Sequence, residues 1–143
     1  MSCEIEIRPV AVEQTYPLRH HILWPEQPLS FVQLPEDSAG HHFGAFTTST
    51  DYPVLVGVIS LYMTDSTARF RKMCVLPSHQ SQGIGSRLVD HVIRTSTEAG
   101  MSSVWCDARL SALPFYRRLG LQAEGNAFDK SGIQYLVMRR RLP

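Results

Sequence analysis

Residues 68–86 constrain the fold of this chain more than any other stretch. A mostly apolar run of strand length ends at Leu76 and meets Pro77, which cannot donate to a sheet ladder and therefore ends the strand. Two glycines, Gly83 and Gly85, come next. They are followed by apolar residues at helical spacing: Leu88, Val89, Val92 and Ile93. The stretch predicts a strand, a tight turn and a glycine-containing loop that opens a helix.

The loop before this helix has two interpretations. The first turn of a helix leaves backbone N–H groups without intrahelical partners, and the peptide dipoles add partial positive charge there. Because Gly83 and Gly85 lack a Cβ, a phosphate could approach their backbone closely. The alternative is a strand-to-helix turn whose glycines serve only its shape. A lone G-x-G pattern favours this second interpretation, so other parts of the chain must decide.

Length, charge and hydropathy limit the class of protein. At 143 residues the chain is expected to form a single domain over 1–143. A formal net charge of +1 gives no reason to expect nucleic acid or an anionic membrane as a partner. No apolar stretch approaches the roughly 18 residues of a membrane helix, and the N-terminus lacks a signal-peptide pattern. We therefore expect a soluble, cytoplasmic protein with no membrane partner.

Cysteine and histidine usage argues against a metal site or a disulfide framework. Cys3, Cys74 and Cys106 are odd in number and lack C-x-x-C spacing. The adjacent histidine pairs at 20–21 and 41–42 do not converge on one ion, because neighbouring residues diverge in both strands and helices. No metal is expected.

Hydropathy patterns along the chain predict strands and helices in an α/β (α+β) order. Alternating or continuously apolar runs predict strands at 4–9, 41–48, 54–63, 68–76, 103–108, 122–128 and 133–140. Helical patterns cover 10–23, with Pro17 as a kink or boundary, 85–99, and 111–119, with Ser111 as a candidate cap and Pro114 in the first turn. The second to fourth strands suggest an antiparallel meander, and the long helix makes the fourth and fifth parallel. The expected fold is a mixed, mostly antiparallel six- to seven-stranded sheet flanked by helices.

Two motifs stand on either side of the predicted strand 103–108: Gln80-x-x-Gly83-x-Gly85 and Ala112-x-x-Phe115-Tyr116-x-x-x-Gly120-Leu121. Both match hallmarks of the GCN5-related N-acetyltransferase (GNAT) family, in the same order and with the same elements between them. The chain resembles this family over essentially its whole length, and within it the small predicted bacterial acetyltransferases. The resemblance implies the acyl-CoA N-acyltransferase fold.

The resemblance also implies acetyl-coenzyme A as the donor substrate. Its pyrophosphate is expected to accept hydrogen bonds from the loop formed by Gln80, Ser81, Gln82, Gly83, Ile84, Gly85 and Ser86. In this family the strand that here ends at Val75 splays from the next one, so that its free backbone groups pair with the pantetheine. The remaining expected contacts to the coenzyme are Met73, Val75, Arg109, Phe115 and Tyr116. The Val75 N–H is the expected donor to the oxyanion.

Tyr116 matches the tyrosine that in many family members protonates the leaving thiolate. A phenol is a donor at neutral pH, so this catalytic role needs no shifted pKa. The alternative is that Tyr116 only packs under the coenzyme or hydrogen-bonds its sulfur. Two segments depart from the commoner pattern: Asp107-Ala108-Arg109, where many relatives carry Asn, and Gln134-Tyr135, where the most similar subfamily carries Pro-His. The second departure affects the expected acceptor pocket.

The acceptor and the general base are not fixed by the sequence. The titratable candidates on the expected acceptor side are Glu36, Asp37, His41, His42 and Asp65, each with an alternative role in a loop or turn. Cys74 raises the alternative of an acetyl-enzyme, although a buried strand position suits it better. The expected function is direct transfer of acetyl to a primary amine of a small molecule or peptide, in a possible homodimer. The alternative is an acetyl-coenzyme A sensor that regulates a partner without turnover.

Overall fold

The computed structural model describes residues 4–49 and 51–143. Within these residues one seven-stranded sheet forms, in the order β1-β2-β3-β4-β5-β7-β6. Its strands are β1 (Ile5–Pro9), β2 (His41–Thr47), β3 (Leu55–Thr64), β4 (Thr67–Val75), β5 (Ser103–Arg109), β6 (Gln122–Lys130) and β7 (Ile133–Arg141). Only β4 and β5 pair in parallel, and every other neighbouring pair in this sheet is antiparallel. The predicted fold class is confirmed.

Three α-helices and several short helical turns flank the sheet in the described residues. The α-helices are α1 (Val12–Leu18), α2 (Ile84–Glu98) and α3 (Leu113–Arg118). A π-helical turn, Arg19–Leu23, continues α1, and 3-10 turns form at Leu29–Val32, Pro35–Ala39, Pro77–His79 and Leu110–Ala112. None of the described helices is long and apolar enough to cross a membrane.

The core lies between α2 and the sheet. The apolar residues of the predicted helical stripe, Leu88, Val89, Val92 and Ile93, are all buried. They pack into one cluster with apolar side chains of β3, which is buried over most of its length, as the continuously apolar sequence predicts. Burial of this face fixes α2, and with it the loop at its N-terminus, against the sheet.

The sheet opens between β4 and β5. These strands pair only from Thr67, opposite Ser103, to Arg69, opposite Trp105, and no further pair between them forms in the described residues. A β-bulge in β4, opposite Ile59 of β3, holds Lys72 at φ 58°, in the left-handed region. The splay expected between these strands is therefore present.

Two local predictions differ from the structure. Ser111 does not cap α3: the N-cap is Ala112, which makes no side-chain capping bond, because residues 110–112 form a 3-10 turn first. Pro114 lies in the first turn of α3, as predicted. No boundary forms at Pro17: it lies inside α1, and the change to π-helix comes after the next residue, Leu18.

Candidate active site

A cavity of about 770 Å³ lies where the end of β4 meets the N-terminus of α2 and the start of α3. Ten predicted coenzyme contacts line it: Met73, Val75, Gln80, Ser81, Gly83, Ile84, Gly85, Ser86, Phe115 and Tyr116. Gln82 is exposed and does not line this cavity. Arg109 lines a second, adjoining cavity instead. The two sequence motifs thus meet at one concave surface.

The loop before α2 turns through two residues in the left-handed conformation. Gly83 is the N-cap of α2 with φ 81°, a left-handed conformation that favours glycine, and it offers no side chain to cap the helix. Ser81, two residues earlier, is also left-handed, at φ 63°. A Cβ on Gly85 would lie 3.4 Å from Phe115 and 3.5 Å from Met73, in ordinary van der Waals contact with both side chains. The N–H groups of the first helical turn therefore face the cavity without a side-chain partner.

The end of β4 carries free backbone groups on the open side of the splay. The Leu76 N–H donates to the Val56 carbonyl of β3 at 2.8 Å. Because successive N–H groups of a strand point in opposite directions, the Val75 N–H points away from β3, into the opening. The Gln80 side-chain amide donates to the Val75 carbonyl at 3.0 Å, which ties the loop to the strand end.

The second cavity, of about 220 Å³, adjoins the first on the side of β5, β6 and β7. The two cavities share Leu23, Met73, Ser111, Ala112 and Tyr116. Trp24, which follows the π-helical turn, forms part of the wall of the smaller cavity, and Tyr135 of β7 forms another part. A ligand in the larger cavity can therefore meet a second ligand in the smaller one beside Tyr116.

Tyr116 is buried, with 8% of its surface exposed. Its ring contacts Phe115 at 4.9 Å and Phe70 at 5.8 Å between centroids. Its hydroxyl hydrogen-bonds to no group in the described residues, although it lies where the cavities join. Burial raises the pKa of this phenol, and the nearby Cys106 adds to the shift. Tyr116 therefore keeps its proton at neutral pH and presents it as an unused donor.

Among the charged residues that line the smaller cavity, cations outnumber carboxylates. Its charged residues are Arg71, Lys72, Asp107, Arg109 and Lys130. Asp107 accepts from Lys130 at 3.0 Å and from Arg69, which lies behind the wall, at 2.6 Å. Arg71 pairs with Glu36. Burial, together with the neighbouring cations, lowers the pKa of Lys72 to about 8.

A buried ionic network holds the π-helical turn against the sheet. Arg19, fully buried, donates two hydrogen bonds to the Asp37 carboxylate, at 2.8 and 3.0 Å. It also donates to the Val32 carbonyl and to the Ser60 hydroxyl of β3. Tyr62 donates to the same carboxylate. The network fixes the segment that leads into Leu23 and Trp24, and so one wall of the site.

His42 belongs to this network and not to the cavities. Its Nε2 lies 2.9 Å from the Asp37 carbonyl oxygen, which can only accept, so Nε2 carries the proton. Its Nδ1 then accepts from the Ser60 hydroxyl at 2.7 Å. Both ring nitrogens of His42 therefore form hydrogen bonds within the network.

None of the sequence candidates for a general base lines the smaller cavity. Asp37 is a poor base: burial alone would raise its pKa, but the hydrogen bonds from Arg19, Tyr62 and the Leu34 N–H lower it to about 2. Glu36 is held by Arg71, and Asp65 lies in the β3–β4 turn. The carboxylate that does line the cavity, Asp107, is shared between two cations.

The cysteines do not supply a nucleophile or a metal site in the described part of the chain. Cys74 and Cys106 are buried free thiols, and burial raises the pKa of each to about 12. A thiol that stays protonated is a weak nucleophile, so the acetyl-enzyme alternative gains no support from Cys74. Cys3 lies outside the described residues. No cluster of three or more metal-ligating side chains forms among residues 4–49 and 51–143.

Sequence reasoning missed Lys72 and Lys130. Arg71 and Lys72 interrupt an apolar strand, which was the available signal. A regular strand would send neighbouring side chains to opposite faces, however, and the bulge that brings Lys72 to the cavity is not readable from composition. Lys130 lies at the end of β6, two residues beyond its predicted limit.

Solved structures of other proteins share this fold. Escherichia coli ElaA superposes with a TM-score of 0.79 at 17% identity, covering 96% of this chain and 99% of ElaA. A GNAT family acetyltransferase from Elizabethkingia anophelis, solved with acetyl-CoA bound, gives a TM-score of 0.73 at 17% identity, covering 96% of this chain and 98% of that one. At such identities the likeness concerns the fold.

Sequence comparison identifies the family. The model of the acetyltransferase (GNAT) domain matches residues 33–142. A protein of Bacillus subtilis strain 168, named as the uncharacterized N-acetyltransferase YitI, is 33% identical over 148 aligned positions, covering 96% of this chain and 97% of YitI. The chain belongs to the GNAT family of acetyltransferases, and the resemblance recognised from its two motifs is confirmed.

Proposed function

We propose that this protein is an N-acetyltransferase that transfers the acetyl group of acetyl-coenzyme A directly to a primary amine of a small molecule or peptide. The observation that carries the proposal is the junction of two cavities at Tyr116, whose hydroxyl has no hydrogen-bond partner among the described residues. Acetyl-coenzyme A supplies an activated thioester. The acetyl-coenzyme A bound in the Elizabethkingia anophelis structure supports this donor.

The larger cavity fits the donor chemically. Anionic phosphates suit the free N–H groups and positive dipole end of α2, and the left-handed Gly83 leaves their approach open, since a Cβ there would meet nothing within 4 Å. The free backbone groups at the end of β4 suit the amides of the pantetheine arm. The loop residues Gln80 to Ser86, including Gln82 through its backbone, would hold the pyrophosphate, while Met73 and Phe115 would cover the arm. A contact from Arg109 would come from the side of the smaller cavity.

Transfer needs a neutral amine, a donor to the carbonyl oxygen and a proton for the leaving thiolate. The direction of the Val75 N–H supports a role as the donor to that oxygen. The protonated hydroxyl of Tyr116 supports a role as general acid. Holding both substrates side by side accounts for a further part of the acceleration, because it removes the entropic cost of their encounter.

We expect Tyr116→Phe to lower kcat about 100-fold, since a positioned general acid contributes about 10²- to 10⁴-fold. The ring and its contacts with Phe70 and Phe115 remain in this variant, so the affinity for coenzyme A measured by calorimetry should stay within about threefold. Stopped-time thiol release with a saturating amine measures kcat. If Tyr116→Phe retains full kcat, Tyr116 acts only by packing and the general-acid role is wrong.

A panel of amines, amino acids, polyamines and peptides, assayed for thiol release, tests the proposed activity as a whole. Turnover above hydrolysis with at least one acceptor is the expected result. Tight binding of acetyl-coenzyme A without turnover on any acceptor would favour the sensor alternative.

A further inference from the structure

The cations of the smaller cavity are not all balanced by neighbouring carboxylates. Glu36 neutralises Arg71, and Asp107 is shared between Lys130 and Arg69. No carboxylate in the described part of the chain lies within ion-pair distance of Lys72. The cavity therefore holds an excess of positive charge on its inner wall.

Arg109 is also free of a carboxylate partner among the described residues. Its guanidinium lies 5.5 Å from the centre of the Trp24 ring, and its recorded hydrogen bond, to the Leu23 carbonyl, is long at 3.5 Å. Such a guanidinium keeps most of its donors for another acceptor, and its planar fork matches a carboxylate or phosphate. Lys72 and Arg109 come from the two splayed strands and line the same cavity.

The backbone at Lys72 indicates that this arrangement is built at a cost. A left-handed backbone conformation is unfavourable for a residue with a side chain. The bulge places Lys72, in this unfavourable conformation, beside other cations. Burial and these charges lower the pKa of Lys72 to about 8. An anion in the cavity would relieve the repulsion.

We propose that the acceptor is a small primary amine that also carries an anionic group, a carboxylate or a phosphate, and that Lys72 and Arg109 bind this group. The inference rests on the proposed acetyltransferase function and names its substrate class. A cavity of about 220 Å³ lies below the usual range of about 300–1,000 Å³ for ligand pockets, which favours a small acceptor. The Trp24 and Tyr135 rings would flank its carbon chain.

The test compares small acceptors of similar size that differ in charge. β-Alanine carries a carboxylate, propylamine carries a methyl group and diaminopropane carries a second ammonium; phosphoethanolamine replaces the carboxylate by phosphate. The amines are compared at equal concentrations of the neutral, unprotonated amine. We expect kcat/KM for the better anionic amine to exceed that for propylamine about 10- to 100-fold, the worth of one charge-assisted hydrogen bond. Diaminopropane should be the poorest acceptor.

Matched variants then test whether Lys72 causes the preference for anionic amines. Lys72→Met should lower the ratio of anionic to neutral kcat/KM about 10- to 100-fold, and Lys72→Arg should restore most of it. Arg94→Met is the control, because it removes an exposed cation of α2 that lines neither cavity, and the ratio should stay within about threefold. Coenzyme A affinity measured by calorimetry verifies that each variant is folded.

The outcomes separate the inference from the proposed function. Turnover with propylamine or diaminopropane equal to or better than turnover with both anionic amines would overturn the inference and leave the acetyltransferase proposal standing. No turnover with these four amines or with any acceptor of the wider panel would overturn the proposed function. In that case calorimetry with the coenzyme A complex still decides the inference, which predicts that β-alanine or phosphoethanolamine binds and propylamine does not.

Discussion

Gly83→Glu is expected to abolish coenzyme A binding, whereas Gly100→Glu leaves it intact. Both glycines are left-handed, at φ 81° and 80°, and a Cβ at either would meet nothing within 4 Å. The backbone cost of about 1–2 kcal/mol is therefore the same at both sites. They lie at opposite ends of α2, so that only the glutamate at position 83 directs a carboxylate at the proposed pyrophosphate site.

The expected loss of affinity in Gly83→Glu follows from the hydrogen bonds to the pyrophosphate that the new carboxylate displaces. Each charge-assisted bond contributes about 1.5–3 kcal/mol, so the loss of two weakens binding by about 100-fold or more. Isothermal titration calorimetry with coenzyme A measures this, and thermal unfolding of both variants measures the shared backbone cost. Equal affinities for the two variants would show that the loop before α2 does not bind the pyrophosphate.

Asp37→Asn is expected to lower the free energy of unfolding by about 3–5 kcal/mol, because it leaves the fully buried Arg19 without a counterion. The matched control is Glu124→Gln, which removes the carboxylate of an exposed pair with Arg139 at the same 2.8 Å distance. Exposed pairs contribute little, so this change should cost less than about 1 kcal/mol. Urea unfolding of the two variants gives both values, and similar losses would contradict a stabilising role for the network.

The Asp37 carboxylate also predicts how the stability of the protein responds to acid. Its pKa of about 2 in the folded protein lies below its ordinary value of 3.8, so its contribution to stability is complete above the ordinary value. The contribution is lost as the pH falls from about 4 towards 2, where the folded carboxylate takes up its proton. Asp37→Asn should remove this part of the acid dependence, and an unchanged slope in that pH range would contradict the assignment.

The lining of the larger cavity could be predicted from sequence because local sequence patterns determine it. A proline that ends a strand, two glycines and a helical stripe specify the loop from Gln80 to Ser86 within a few residues. The parallel pairing of β4 and β5 followed from the long helix between them. Tyr116 was found through its motif, and the structure adds that its hydroxyl has no partner among the described residues.

The smaller cavity and its surroundings could not be predicted because they depend on contacts between distant segments. Arg19 and Asp37 lie 18 residues apart, and nothing local to either distinguishes a buried pair from two surface charges. Asp37 therefore remained a candidate base until its partners were known. The place of Lys72 in the cavity depends on the bulge in β4, which changes the direction of its side chain. No glycine or proline marks this bulge in the sequence.

Transfer of an isotopically labelled acetyl group from acetyl-coenzyme A to an amine, followed by mass spectrometry, tests the central claim most directly. The proposed function predicts a labelled amide product that forms in proportion to free coenzyme A, with no label on the protein itself, because the amine attacks the thioester directly. Label retained on Cys74 or another side chain would contradict direct transfer. Release of coenzyme A without any labelled amine, across every acceptor offered, would contradict the acetyltransferase function.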